Sequence, residues 1–498
     1  SRSNPPAPSV FPSEFGIPPP SLEATDSAQI LSLIAAKNAL EDSGYNGSKT
    51  FNRDKTSVIL GATGTQELSI PLGSRLGHPK WKKALSDSGI SSEKSEEIIR
   101  RISSSYVSWQ ENSFPGLLGN VIAGRICNRL DLGGTNCVVD AACASSLSAI
   151  HLAVMELSLG RSDMVITGGV DALNDIFMHM CFSKTRILSP TGDIRPFSKD
   201  ADGTVLGEGI GIIVLKRLQD AERDRDKIYA VIRGIGTSSD GKSQSIYAPR
   251  KEGQKKALSM AYKNSGIDPS TVEIVEAHGT GTRVGDMVEF QALNEVFADS
   301  GVKPQNCAIG SVKSMIGHTK AAAGSAGLIK AALSLYHKTL LPTIKAEAPD
   351  PNMGISGSPF YLNSSSRPWF STKSSPRRCG VSSFGFGGSN FHAILEEYDQ
   401  VKRKTAWDGS VEIIAFSASS HSELLKQVSD FKSRIEKDHS AGTIAFEAAG
   451  TRKNFSPADQ CRILFAARKI HNSPDRSFEE LPSLLLKGLG IMETNKGK

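Results

Sequence analysis

From about residue 119 to residue 400 the chain alternates short apolar runs with longer stretches whose apolar residues recur every three or four positions. The short runs predict buried strands and the longer stretches predict helices. Cys137 to Val139, Met164 to Ile166, Gly211 to Leu215, Tyr229 to Ile235 and Val272 to Val275 read as strands, with Val58 to Leu60 standing ahead of them. Ser145 to Gly160, Lys251 to Ser265 and the Ala/Gly-rich Ala321 to Lys338 read as helices. Alternation of this kind predicts an α/β layered fold, in which chemistry gathers at the carboxyl ends of strands.

The flanks differ. Seven prolines in the first twenty residues predict an extended segment with no helix. Order is expected from Asp26, which stands three residues before Gln29 as in a capping box, with a helix from Ile30 to Leu40 stopped by Gly44. Residues 65–118 are polar and Ser-rich and predict no definite element. Beyond Tyr398 the composition shifts at Lys402-Arg403-Lys404. Val411 to Phe416 and Arg462 to Ala466 then read as strands and Ser422 to Lys437 as a helix, a small separate α/β unit. Gly488 to Lys498 reads as frayed.

Composition narrows the class of protein. Hydrophobic residues at 39% and charged residues at 22% of 498 describe a globular chain. The net charge of +6 is scattered, which suits an acidic partner surface better than a nucleic-acid groove. No run of about 18 apolar residues is present, so no membrane span is expected. Seven cysteines, an odd number, give no disulfide framework and point to a reducing cytoplasm.

Candidate chemistry sits in three places. Asp140-Ala141-Ala142-Cys143-Ala144-Ser145 carries a strand through a turn of small residues into a helix, a geometry that presents one side chain as a nucleophile. The helix dipole there is expected to favour the Cys143 thiolate near neutral pH. The other six cysteines lack this setting and read as core. His278 lies in His278-Gly279-Thr280-Gly281-Thr282 after one strand. His318 ends Lys313-Ser314-Met315-Ile316-Gly317-His318 after another. Either histidine alone reads as structural, but two at strand ends beside a nucleophile read as chemistry. No HExxH or CxxC spacing occurs, so no metal is expected. Ser383-Phe384-Gly385-Phe386-Gly387-Gly388-Ser389-Asn390 is a Gly-rich turn without the Lys of a P-loop, and its backbone N–H groups could hold an oxyanion.

Together DAACASSL around Cys143, EAHGTGT around His278, KSMIGH around His318 and GVSSFGFGGSNFHAILE resemble the β-ketoacyl synthase family, over roughly residues 15–398. SDGKSQSIYAPR and FGIPPPSLEATDS resemble the iterative polyketide and polyunsaturated fatty acid branch. Residues 405–490 look like the linker domain between a ketosynthase and an acyltransferase. The resemblance implies a thiolase-like αβαβα sandwich of two similar halves, 26–250 and 251–400. A Pro-rich segment 1–25 precedes them, and a linker domain 401–490 and a tail 491–498 follow. It implies a decarboxylative Claisen condensation, with Cys143 taking the acyl chain, His278 and His318 holding the malonyl thioester carbonyl, and Lys313 orienting the site electrostatically. The N–H groups of Cys143 and Phe386 would form the oxyanion hole, with Phe386 as gate. Thr280, Thr282, Phe384, Gly387 and Gly388 would meet substrate or its pantetheine arm.

No cofactor is expected on the chain itself; the phosphopantetheine arm comes on an acidic acyl carrier protein. Further expected partners are a neighbouring acyltransferase domain and a second copy, the dimer segment being Gly119 to Leu132. A loading decarboxylase would have Gln at 143, a chain-length factor no Cys, a chalcone-synthase relative Asn in place of the second His, and a thiolase a second Cys. One departure stands out: family members begin with a strand and Gly-rich turn that has no counterpart before FGIPPP. That strand is expected in the middle of the first half's sheet, which makes the chain a fragment or its core incomplete. The alternatives are therefore a catalytically silent carrier-docking scaffold and a Cys–His acyl hydrolase.

Overall fold

The computed structural model of the chain describes residues 15–45, 47, 49–64, 67–242, 245–370, 376–398, 411–438, 440–468, 478 and 480–494. The chain divides into two compact units, Ser1–Tyr398 and Asp399–Lys498. Lys402 to Lys404 lie outside the described residues.

In the first unit, strands β1 (Thr56–Ala62), β2 (Asn136–Val139), β3 (Met164–Asp171) and β4 (Gly209–Leu215) form a sheet in the order β2-β1-β3-β4. The first three are parallel and β4 is antiparallel to β3. β1 and β3 are buried along their whole length. Both faces are covered, which is why they read as unbroken runs without polar alternation. Helices α1 (Ser27–Asp42) and α2 (Val121–Leu130) cover one face and α3 (Ser145–Ser158) the other. The expected gap in the middle of this sheet is not there. β1 pairs directly with β3, from Thr56 opposite Met164 to Ala62 opposite Val170, so the central ladder is continuous. β4 lies at one edge of the sheet, expected to be buried but half-buried at all seven positions because among the described residues it has a strand on one side only.

The second sheet contains β5 (Val231–Ser239), β6 (Ile274–Glu276), β7 (Cys307–Gly310), β8 (Phe360–Leu362), β9 (Arg378–Gly385) and β10 (Ser389–Glu396), in the order β5-β10-β9-β6-β7-β8. Helices α4 (Lys251–Ser265) and α5 (Arg283–Ala298) pack outside it. α6 (Ala323–His337) lies between the sheets beside α3, where Leu328, Ala331 and Leu335 join Leu147 and Ile150 in one core. The result is five layers, helix, sheet, helix, sheet, helix. Because β5 pairs with β10 along its length, the second half begins at Val231 and not after residue 250.

Three local expectations change. A helical turn, Pro19–Leu22, stands inside the proline-rich segment, since prolines in a first turn lose no hydrogen bond, and Ile17 is already in the core. Asp26 caps α1 by accepting from the Ala28 N–H at 2.9 Å, but Gln29 does not complete a capping box. Its amide instead donates to the carbonyls of Pro115 and Gly116, both at 2.9 Å. Residues 65–118 hold helices His78–Asp87 and Ser92–Ser104. The second buries only Ser95 fully and half-buries a short apolar face of Ile98, Ile99 and Ile102.

In the second unit β11 (Val411–Ala418) and β12 (Cys461–Arg468) pair antiparallel, with α7 (His421–Lys437), α8 (Ala441–Asn454) and α9 (Leu481–Thr494). α9 runs through the expected frayed end as far as Thr494, because Leu485 and Met492 are buried in the unit's core. Among the described residues no helix is long and apolar enough to cross a membrane.

Candidate active site

The turn after β2 is held by its own side chains. Asp140 Oδ1 accepts from the Ala142 N–H at 2.8 Å, while Ser145 Oγ accepts from the Ala141 N–H and donates to the Ala142 carbonyl. These bonds keep Ala142 at φ 50°, a left-handed conformation that a residue with a side chain adopts only under surrounding constraint. Cys143 follows in a single 3-10 turn, and α3 begins at Ser145. The turn is also fastened to the second sheet. Ser383 Oγ on β9 donates to the Cys143 carbonyl at 2.7 Å. A methyl group on Gly385 would lie 2.1 Å from the Ala141 carbonyl oxygen, so only glycine lets β9 approach this closely.

Cys143 is 7% exposed, and this reverses the expected acidity. Burial pushes its thiol up to about 11; Lys313 and Lys320 oppose the rise and Asp171 adds to it. The helix N-terminus does not overcome desolvation here.

His278 follows β6 and His318 precedes α6, and the structure brings their rings together in an edge-to-face contact with centroids 5.5 Å apart. His318 is buried, and its Nδ1 accepts from the Lys320 N–H at 3.0 Å. A ring nitrogen that accepts carries no proton, so Nε2 of His318 is the donor. His278 is half-buried, and its Nδ1 has no partner among the described residues. Both imidazoles are held well below the usual histidine range by burial and then by Lys313, so both are neutral.

Lys313 begins a short helix after β7 and donates from Nζ to the His278 carbonyl. It is buried, which lowers its pKa, with Glu289 and Glu276 acting in the other direction. Phe386 lies at the tip of the β9–β10 turn, 42% exposed, its ring 6.2 Å from that of Tyr247. The backbone N–H of Phe386 has no backbone acceptor among the described residues. Gly387 and Gly388 complete the turn with φ of 92° and 81°. Phe384 is buried, and its ring rests on His278 at 5.7 Å, walling the histidine rather than facing open space. Thr280 and Thr282 share a hydroxyl hydrogen bond of 2.9 Å.

Four residues that sequence reasoning passed over complete the surroundings. Glu289 accepts from the His278 and Gly279 N–H groups at 2.7 and 2.8 Å, and Asp286 from those of Gly281 and Phe197. Burial raises both carboxyls to about 7. Lys320 pairs with Asp171 at 2.9 Å, both side chains almost fully enclosed. The available signal was positional, since Asp286 and Glu289 fall in the first two turns of α5 just beyond the Gly/Thr run. Among the described residues no three metal-ligating side chains are grouped as an ion site.

Three family models match the chain in succession: β-ketoacyl synthase, N-terminal domain, over residues 7–221; β-ketoacyl synthase, C-terminal domain, over 229–347; and ketoacyl-synthetase C-terminal extension over 349–454. A polyunsaturated fatty acid synthase polypeptide of Thraustochytrium sp. is 41% identical over 445 residues, 87% of this chain and 16% of that protein. Polyketide synthase PksL of Bacillus subtilis is 39% identical over 389 residues, 78% of this chain and 8% of that protein. The chain thus spans a small part of these relatives. Among solved structures, the ketosynthase from module 6 of the bacillaene synthase of Bacillus subtilis is 33% identical with a TM-score of 0.66, covering 97% of this chain and 75% of that one.

Proposed function

Since the chain belongs to the β-ketoacyl synthase family of condensing enzymes, with its thiolase-like fold, we propose that it joins an acyl chain on Cys143 to a malonyl unit by decarboxylative Claisen condensation. The observation that carries this reading is the convergence of four distant segments, those of Cys143, His278, Lys313–His318 and Phe386, at the ends of strands β2, β6, β7 and β9.

Cys143 sulfur attacks the thioester carbonyl of an acyl group carried on a phosphopantetheine arm. The new thioester forms on Cys143, and the thiol proton leaves with the carrier's thiol. A malonyl thioester then takes the carrier's place. Its carboxylate departs as CO2, and the electron pair becomes an enolate whose oxygen accepts from the neutral histidines, His318 through its Nε2–H. Neutral donors suit this step, because a full imidazolium would hold the enolate too tightly for it to attack. The enolate carbon attacks the acyl-Cys143 carbonyl, and the resulting oxyanion is received by the Cys143 and Phe386 N–H groups. Collapse expels the Cys143 thiolate, which recovers a proton, and releases a β-ketoacyl carrier. Lys313 supplies the positive field that offsets burial of the thiol. Thr280, Thr282, Gly387 and Gly388 stand where the pantetheine arm would pass, and Phe386 would turn to admit the chain.

The partners of this reading are an acyl carrier protein, a neighbouring acyltransferase domain joined through residues 401–490, and a second copy of the chain. Seven free cysteines suit a reducing compartment such as the cytoplasm. The test is intact mass after incubation with a medium-chain acyl thioester, beside Cys143→Ala, followed by malonyl carrier. An adduct confined to the wild type and converted to β-ketoacyl carrier is expected. Folded protein without an adduct would favour a silent docking scaffold, and release of free acid without malonyl carrier would make it a hydrolase.

A further inference from the structure

The segments that carry His278 and Lys313 leave the neighbouring strands β6 and β7, and one carboxylate joins both of them to the helix that follows. Glu276 closes β6 two residues before His278. Its Oε1 accepts from the N–H of Val312, the residue before Lys313. Its Oε2 pairs at 2.8 Å with Lys330 Nζ on α6, the helix that begins shortly after His318. Both side chains are nearly enclosed, 4% exposed for Glu276 and 11% for Lys330. α6 also closes on the stem of the glutamate, where a methyl group on Gly327 would lie 3.0 Å from Glu276 Cγ.

The Val312 bond stands where the sheet has run out. The β6–β7 ladder ends at Glu276 opposite Gly310, and the Ala277 N–H takes the Gly310 carbonyl at 2.7 Å. Beyond Gly310 the chain turns into the short helix Lys313–Ile316, and the leading N–H groups of a helix have no partner within it. Glu276 supplies the acceptor at that turn. A second tie returns in the other direction, since Lys313 Nζ donates to the His278 carbonyl. Residues 276–278 and 312–313 are thus clasped twice, once by a side chain from each. Glu276 is also one of the negative charges, after Glu289, that oppose the effect of burial on Lys313.

We propose that Glu276 is a positioning residue for the malonyl step: through the Val312 N–H it holds the His278 and Lys313 segments in register beyond the ends of β6 and β7, and Lys330 is the counter-charge that keeps its carboxylate there. This rests on the condensation reading given above. Glu276 acts through its neighbours and does not meet substrate. The clasp belongs to decarboxylation and not to acylation, because the Cys143 turn is held by a separate set of bonds from Asp140, Ser145 and Ser383. The cavity beside the pair, bordered by Ser334, Thr343 and Asn363, measures about 20 Å³, room for about one water. A lone charge left there is poorly hydrated, so removing one partner alone unsettles the fold, whereas removing both is tolerated.

Two charge-neutral double variants of the full chain separate the bond from the fold. Glu276→Gln with Lys330→Met keeps an oxygen for the Val312 N–H, and Glu276→Met with Lys330→Met does not. Without that oxygen, hydrogen exchange at the Val312 amide should quicken at least about tenfold. In the same protein kcat for CO2 release from malonyl carrier should fall at least about tenfold, as misplacement near reacting atoms does, while KM and the rate of Cys143 acylation stay within about twofold. The variant with Gln should keep slow exchange and most of the CO2 release. Equal CO2 release by the two variants overturns the proposal and leaves condensation standing. So does a loss of acylation as large as the loss of decarboxylation, or a variant with Met at both positions that fails to fold where the one with Gln folds, since either makes the role of Glu276 structural only. Folded wild type that releases no CO2 from malonyl carrier overturns the condensation reading itself, and this proposal with it.

Discussion

His318 Nδ1 accepts the N–H of Lys320 at 3.0 Å, and this single backbone bond decides which face of the ring can donate. Lys320 is itself held at φ 45°, so the donor is fixed by the chain and not by a rotatable side chain. Replacing His318 by Ala should lower malonyl decarboxylation and condensation by about 10²–10³-fold, the usual cost of one lost oxyanion donor. Radiolabelled CO2 release from malonyl carrier measures it. Acylation of Cys143 should change far less.

A second expectation concerns the nucleophile's acidity. The folded thiol lies at about 11, above its ordinary value, so the thiolate fraction rises with pH throughout the neutral and mildly alkaline range without levelling off. Alkylation of Cys143 by iodoacetamide should therefore rise about tenfold per pH unit from 7 to 9. Lys313→Ala removes the largest opposing cation and should slow alkylation at fixed pH. A rate that levels off below pH 8 would contradict the burial argument.

Gly385→Ala places a methyl group into the Ala141 carbonyl, 2.1 Å away. Backbone must move on one side or the other, and the Cys143 turn is the side without a sheet ladder. The variant should lose melting temperature, and the protein that remains folded should acylate Cys143 at least about 10²-fold more slowly, as displacements near reacting atoms do. Stopped-flow mass analysis of the acyl adduct reads it.

Asp171→Asn leaves the enclosed Lys320 ammonium with neutral acceptors alone, the new amide oxygen and the Gly207 carbonyl at 3.0 Å, and no counter-charge. Removing one partner of a buried pair costs about 3–5 kcal/mol, so the urea midpoint should fall sharply. Asp171→Asn combined with Lys320→Met should recover much of that loss. Activity need not return, since Lys320 lies beside His318.

What the sequence shows plainly is local. The turn at Cys143 and the glycines around His278 and Phe386 are adjacent in the chain, and each motif is its own geometry. What it hides depends on distant neighbours. Gln29 looks like half of a capping box, but its amide belongs to carbonyls near residue 116. Cys143 looks acidic until the depth of its burial is known. The order of strands is hidden for the same reason, because β1 is bonded to β3 across an intervening β2 segment, and no run of residues records which strand lies next to which. The helix Ser92–Ser104 does carry a stripe, Ile98, Ile99 and Ile102, but it is a single turn long and half-buried among serines and charged residues, too short to stand out.

The hydrogen bond from Ser383 to the Cys143 carbonyl joins a residue of the second sheet to the turn that ends the first. The two halves repeat one another in architecture, but the repetition has been broken in labour. One half offers the sulfur, and the other offers everything that receives negative charge except one N–H. Neither could have kept a working site while the other drifted, so any insertion that spreads the sheets apart by even a bond length silences both at once.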